Sequence, residues 1–498
     1  MNGKKLTTLI TLACALIYVF GACAGSRATP APPAGSSSAA MSGTIKYAMI
    51  GEEPNGQKEV TTAAEEMLKS AGFDFKIDWI FIPDDEYVNK LVLICSAGED
   101  YDICWTMPVN INQLAEMGGL APLNDPLDKY GAGLLAAVPE AQWREVTFNG
   151  SIYGIPGMTC SASVDMNFQI RKDLRESWGM GPIKTLDDLE AYLKKFQEEF
   201  PGAMPWANES GRILYREYGE YYTPIGKELK SPVAIIPKAN DDFDVVHFYK
   251  TDAFLNTIAK IREFHEAGYI EIETLKNPDS LFASDLIGLQ WATTTLHERI
   301  GSFLQTRVNP DAMIENMILH PENPKHLFAF GQDNLSIFAV SKKINESVAF
   351  INWMRGSQEA YDIMSYGIEG VNYKLDGKAI TYDGIPENKQ YMPNNWNWSD
   401  VRFMRYDAAL GTDYGPTLIN WDKDAVVYSF TGFSMNQGPV ITEVQQIIAL
   451  QDEYIPILKN SKLDFQSNYD DFIKKLDSSG IEKVIAEVET QIRAFAGK

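Results

Sequence analysis

Between Gly43 and Trp105 the apolar residues switch repeatedly between two spacings, and this alternation constrains the fold more than any other feature of the chain. Gly43-Thr-Ile-Lys-Tyr-Ala-Met-Ile-Gly51 reads as a strand ending in a glycine turn. Val60, Ala63, Ala64, Met67 and Leu68 then fall at helical intervals, with Gly72 as a stop. Phe75 to Pro83 is rich in aromatic and β-branched residues and predicts a second strand. Tyr87 to Ala97 has helical character, and Tyr101-Asp-Ile-Cys-Trp105 is a short third strand. Strands alternating with helices predict an α/β architecture, a mostly parallel sheet covered by helices on both faces. In such sheets ligands sit beyond the carboxyl ends of strands, and Trp105 falls at one of those ends.

Further along, Thr185-Leu-Asp-Asp188 has the form of a capping box opening an amphipathic helix that runs to Phe200. Phe254, Ile258, Ile261 and Phe264 mark another helix, closed by Gly268. Asn345 to Tyr366 is helical around Trp353. The last 60 or so residues predict helices from Pro439 to Leu458 and from Tyr469 to Phe495, with a break near Gly480. Asn394 to Asp422, rich in Asn, Trp, Tyr and Gly and without periodicity, predicts an ordered loop region.

The first residues mark an exported protein. Lys4 and Lys5 precede an apolar run from Leu6 to Phe20, and Gly21-Ala22 stand directly before Cys23. That order is a secretory signal peptide over residues 1–22, and the cysteine at the cut gives it the form of a bacterial lipoprotein signal, with Cys23 lipidated. A plain signal peptide or an uncleaved anchor are the alternatives, although the run falls short of the roughly 20 apolar residues of a membrane span. Residues 23–43, mostly Ala, Pro, Gly and Ser, cannot bury enough apolar surface to order themselves and read as a flexible leash. The expected location is therefore the cell membrane, lipid-anchored, on the extracytoplasmic side.

About 455 residues remain, enough for two or three domains. A net charge of −23 repels phosphate backbones and argues against nucleic-acid binding. Cys95, Cys104 and Cys160 remain after the signal; they read as buried thiols, although sequence leaves a disulfide open. The scattered His247, His265, His297, His320 and His326 form no metal-binding spacing, so no metal is expected. Asn240-Asp-Asp-Phe-Asp244 lacks the glycine and distal glutamate of a calcium loop and reads as a solvated acidic turn. No nucleotide fingerprint, P-loop or Gly-x-Ser-x-Gly elbow is present, so neither a cofactor nor a catalytic residue is expected.

Several segments together resemble the family-one extracellular solute-binding proteins of ABC sugar importers. Tyr101-Asp-Ile-Cys-Trp105 resembles the family's strand that ends at the ligand cleft, and Gln113 to Leu123 resembles its "G-x-L-x-P-L" element. Asn149-Gly-Ser-Ile-Tyr-Gly-Ile-Pro156 resembles the "N-G-K-x-Y-G-x-P" strand where the chain first changes lobe. Arg171-Lys-Asp-Leu174 followed by Pro182-Ile-Lys-Thr185 is similar to another of its motifs. Tyr366-Gly-Ile-Glu-Gly-Val-Asn-Tyr373, Gly432-Phe-Ser, Gly438 to Glu443, Asp452 to Pro456 and Gly480 to Glu487 resemble a lipoprotein subgroup with a C-terminal domain of unknown function. The resemblance implies a two-lobed periplasmic-binding-protein fold of type II with an added helical C-terminal region. Carried onto this chain it places residues 44–158 and 288–332 in the first lobe and residues 159–287 and 333–498 in the second. The crossings then fall near 157–160, 285–289 and 332–337.

A neutral sugar offers hydroxyls and flat C–H faces, which carboxylates, amides and aromatic rings match. Trp105 is the first candidate, from its strand end, against a core role capping the sheet. Trp291 follows the expected return crossing, and Trp396 and Trp398 share one face if their segment is extended. Trp206 lies in a Pro-rich turn. Glu52 and Glu53 follow the first strand, Asp165 and Asn167 the first crossing, and Asp333 and Asn334 sit at the third. The implied function is capture of a carbohydrate, an oligosaccharide above all, between hinged lobes and its delivery to the transmembrane subunits of an ABC permease. A monomer is expected. The alternatives are a peptide or other solute-binding protein and a ligand sensor for a membrane kinase. A polysaccharide-cleaving enzyme would need two carboxylates at a defined separation, and no such pair can be singled out.

Overall fold

The computed structural model describes residues 41–163, 167–206, 214–226, 228–272, 281–282, 284–292, 311–329, 333–408 and 419–498. The alternation read at the start of the chain is realised as β1 (Ser42–Ile50), α1 (Gln57–Ser70), β2 (Asp74–Ile82), α2 (Asp84–Ala97), β3 (Ile103–Thr106) and α3 (Pro108–Glu116). β1 runs parallel to β2, with Ile45 opposite Ile77 and Tyr47 opposite Trp79, and parallel to β3. α1 packs through Val60, Ala64 and Leu68, a stripe at four-residue spacing.

Two further strands complete this first sheet, in the order β2, β1, β3, Asn334–Ile337, Ile155–Pro156. Asn334–Ile337 is antiparallel to β3 and to Ile155–Pro156, so the sheet is mixed. Its core includes Ile45, Tyr47, Ile103, Leu335, Phe350, Tyr366 and Trp398. A second sheet has the order Ile314–Met317, Asn167–Arg171, Ile287–Ala292, Met204–Trp206. Phe168, Trp206, Phe264 and Leu289 belong to its core, and so do Val444, Ile447, Phe472, Leu476, Val484 and Val488 of the C-terminal helices. Those helices span Ile441–Lys459, Phe465–Ser478 and Ile481–Ala496. Gly480, at φ 83°, makes the break expected there. The capping box also forms: the Thr185 hydroxyl accepts from Asp188 N–H at 3.2 Å, and the Asp188 carboxylate accepts from Thr185 N–H at 3.0 Å.

The lobe boundaries differ from the expected ones after residue 287. Ile287–Ala292 pairs with Asn167–Arg171 and Met204–Trp206, so the chain does not return to the first sheet near 285–289. Ile314–Met317 also stays in the second sheet. Asn334–Ile337 lies inside the first sheet, and Tyr366, Tyr373, Tyr391 and Trp398 pack in the first core. The region 288–332 thus belongs with the second lobe where described, and 333–407 with the first. A strand of four to six residues fits either sheet, and only pairing across the fold chooses between them.

The chain changes lobe after Pro156, before Asn334 and again between Asp407 and Val426, which pairs with His326. The first two are laced to each other and to residues 399–401 of the first lobe. Gly157 N–H donates to the Asp333 carbonyl, Met158 N–H to Ser399 and Val401 N–H to Met158, each at 2.8 Å. A Cβ on Gly157 would lie 2.8 Å from the Asp333 carbonyl oxygen, so only glycine permits this approach. Beside them, fully buried Arg355 donates to the Pro156 carbonyl at 2.6 Å and to Asp400 at 3.1 Å.

Candidate ligand cleft

A candidate site on the first lobe is built at the ends of β1 and β3 and the start of Asn334–Ile337. Tyr87 on α2 fixes the end of β3: its hydroxyl accepts from Trp105 N–H at 2.8 Å and donates to the Ala48 carbonyl at 3.0 Å. Trp105 is then aimed at Asp333, whose carboxylate accepts its indole N–H at 2.9 Å. Trp396 meets the Trp105 ring edge-on, with centroids 5.0 Å apart at 84°. Trp105 is only 7% exposed, tucked between Tyr87 and Trp396. It positions Asp333 and braces Trp396 and does not offer a free stacking face. Trp396 and Asp333 are half-buried, and Glu52 and Glu53 are exposed just beyond β1.

Asn394 joins the Trp396 loop to β1 by donating to the Ile50 carbonyl at 3.1 Å. Next to it Gly51 has φ 102°, and a Cβ there would sit 2.5 Å from the Asn394 amide nitrogen. The glycine read as a turn signal therefore also makes room for the loop that carries Trp396.

Three sequence candidates move out of the cleft. Asn395–Trp398 is a 3-10 helix, not an extended segment. Residues two apart in it point about 120° away from each other. Trp398 consequently turns inward: it is fully buried, donates to the Ser365 hydroxyl at 2.9 Å and packs near Tyr47 and Trp79. Trp206, 1% exposed, sits edge-to-face against Phe168 and Phe264 in the second core. Asn334 is buried in its strand opposite Thr106, and its amide donates to the Thr106 carbonyl at 3.4 Å. Asp165 and Cys23 lie outside the described residues. For Trp291 and Asn167 the backbone alone is described; they lie on neighbouring strands, with Trp291 opposite Phe168 and Ala292 opposite Asn167.

Sequence reading missed Tyr87, Asn394 and Asp422. The Asp422 carboxylate caps the far end of the first crossing, accepting from Ala162 N–H at 2.8 Å and Ser161 N–H at 3.0 Å. Burial pushes its pKa up, against the pull of those two N–H groups. Trp421 beside it donates its indole N–H to the Ala162 carbonyl at 2.7 Å. The loop composition of 394–422 was the available signal. Cys95, Cys104 and Cys160 are not joined in a disulfide. Among the described residues no group of three His, Cys, Asp or Glu side chains could hold a metal ion, and no helix is long and apolar enough to cross a membrane.

Two α/β lobes joined by three crossings, with polar and aromatic groups gathered beside the crossings, define a hinged binding protein. Residues 56–361 match the family model described as bacterial extracellular solute-binding protein, and the chain belongs to that family. Its members bind solutes and are not enzymes. Residues 429–497 match a second model, Domain of unknown function (DUF3502). A carbohydrate ABC transporter substrate-binding protein of Streptococcus pneumoniae is 26% identical over 472 residues, covering 91% of this chain and 90% of the relative. The polygalacturonan/rhamnogalacturonan-binding protein YtcQ of Bacillus subtilis is 21% identical, covering 98% of this chain and 99% of that protein. Among solved structures, the N-glycan transport solute-binding protein NgtS of Streptococcus pneumoniae superposes with a TM-score of 0.74 at 21% identity, over 91% of this chain and 99% of that one.

Proposed function

We propose that this chain is the substrate-binding subunit of an ABC importer, that it captures an oligosaccharide between its lobes, and that a lipid on Cys23 holds it, as a monomer, to the outer face of a membrane. The observation that carries the reading is the Trp105–Asp333–Trp396 arrangement beside the crossings. It sets a carboxylate acceptor for sugar hydroxyls next to an indole face for a sugar ring, the pairing a neutral carbohydrate requires. The carbohydrate-binding relatives support the same solute class. Glu52 and Glu53 add acceptors from the rim. With a net charge of −23, uncharged oligosaccharides are favoured over uronic-acid polymers. Ligand touching both lobes draws them together by as much as its affinity for the closed form exceeds that for the open form, and the closed form docks on the permease.

Titration calorimetry of the full mature chain against Man5GlcNAc, kestose, maltopentaose, galacturonan fragments and a peptide mixture tests this. Binding of at least one neutral oligosaccharide is expected. Heat from peptides alone, with every sugar silent, contradicts it.

A further inference from the structure

Four rings on the paired strands His326–Leu327 and Val426–Val427, and just beyond them, have nearly parallel planes. His326 and Tyr428 lie 2° apart with centroids separated by 5.9 Å, and the Tyr428 hydroxyl bonds His326 Nδ1 at 2.5 Å. The bonding direction of an imidazole nitrogen lies in the ring plane. A face-to-face stack would instead lift the oxygen about 3.5 Å off that plane, too far for such a bond. The two rings are therefore joined edge to edge as one flat surface.

Phe328 and Phe430 lie 5.7 and 5.0 Å from Tyr428, tilted by 14° and 7°, which is offset stacking. They are 6.2 Å from each other. Rings on opposite faces of Tyr428 would be two stacking layers apart, about 7 Å, so both lie on the same side. That side is the core side, because Phe430 is fully buried. The opposite face of the His326–Tyr428 pair points away from the core, and both residues are partly exposed. No described ring pairs with them on that face.

The surface stands at the lobe-two ends of two crossings. His326 exchanges backbone bonds with Ser163, which accepts His326 N–H on its hydroxyl at 3.0 Å and donates its own N–H to the His326 carbonyl at 2.9 Å. Phe328 is five residues from Asp333, a span of at most about 18 Å.

We propose that the coplanar His326–Tyr428 pair is a second carbohydrate subsite, on which a pyranose ring of the oligosaccharide lies by its C–H face while a sugar hydroxyl bonds at the polar edge. This inference rests on the proposed function and extends it to the second lobe. Phe328 and Phe430 back the platform so that it keeps its shape when a sugar settles on it. His326 Nε2 carries no protein partner among the described residues and is placed to meet a hydroxyl.

The test is calorimetry with Man5GlcNAc, kestose and maltopentaose on the full mature chain, on Tyr428→Ala and on Tyr428→Phe, with thermal melts of each. Tyr428→Ala is expected to bind the recognised sugar at least tenfold more weakly, and Tyr428→Phe, which keeps the ring, within about threefold of wild type. If Tyr428→Ala does not fold, His326→Ala removes half of the same surface, and a loss of threefold or more is expected. Wild-type-like affinity in the alanine variant overturns the subsite while leaving the proposed function in place. Heat from a peptide mixture alone, with every sugar of the wider panel silent, overturns the proposed function, and the subsite falls with it.

Discussion

The indole N–H of Trp105 donates to the Asp333 carboxylate and, in the proposed site, orients it. Trp105→Phe keeps an aromatic ring there, gives up part of the indole's packing and removes that bond. A hydrogen bond to a charged group contributes about 1.5–3 kcal/mol to stability, so a lower melting temperature is expected, with weaker oligosaccharide binding as Asp333 loses its guide. Unaltered affinity by calorimetry would show that Asp333 needs no such guide. His247 offers a second residue-scale prediction. It is nine-tenths buried, and among the described residues neither ring nitrogen has a hydrogen-bond partner. Burial, then the Lys250 charge, holds its pKa down at about 4. The unfolded chain takes up this proton near 6.5, so the contribution to stability is complete above that pH. It falls as pH drops from 6.5 towards 4 and is flat below. About 3 kcal/mol is lost across the window. Urea unfolding of His247→Phe should show a correspondingly shallower loss than wild type; parallel curves would refute it. At this scale sequence alone separated Trp105 and Trp396 poorly from Trp398, because the choice depends on a 3-10 turn that no periodicity announces.

Among elements, the C-terminal helices were legible because their stripes are regular: Ile481, Val484, Val488 and Ile492 are all fully buried. Leu476, also fully buried, anchors the preceding helix in the second core. Leu476→Ala is expected to cost about 2–5 kcal/mol in chemical unfolding, and a change under 1 kcal/mol would mean that these helices are not integral to that core. The strands of the opening alternation were legible, whereas Ile287–Ala292 and Asn334–Ile337 fall where crossings were expected. Both are short and only partly apolar, and their sheets are settled by partners far away in sequence. The His326–Tyr428 surface was illegible for the same reason, since its two rings are 102 positions apart.

For the whole molecule the crossings carry the account. Asp400 is fully buried and holds Arg355, itself fully buried, beside the laced backbone. Asp400→Asn leaves that guanidinium without its countercharge, and breaking such a pair costs about 3–5 kcal/mol. Thermal unfolding should show it as a large drop in melting temperature; a melt like that of wild type would contradict a structural role for the pair. Gly157 touches the motion more directly, because it lets two crossings approach at the Asp333 carbonyl. The central claim, that an oligosaccharide is gripped between two hinged lobes, is tested most directly by small-angle X-ray scattering of the mature chain with and without the sugar that calorimetry identifies. The radius of gyration should fall on saturation and recover when the sugar is dialysed away. A radius unchanged by a bound sugar would contradict closure around the ligand.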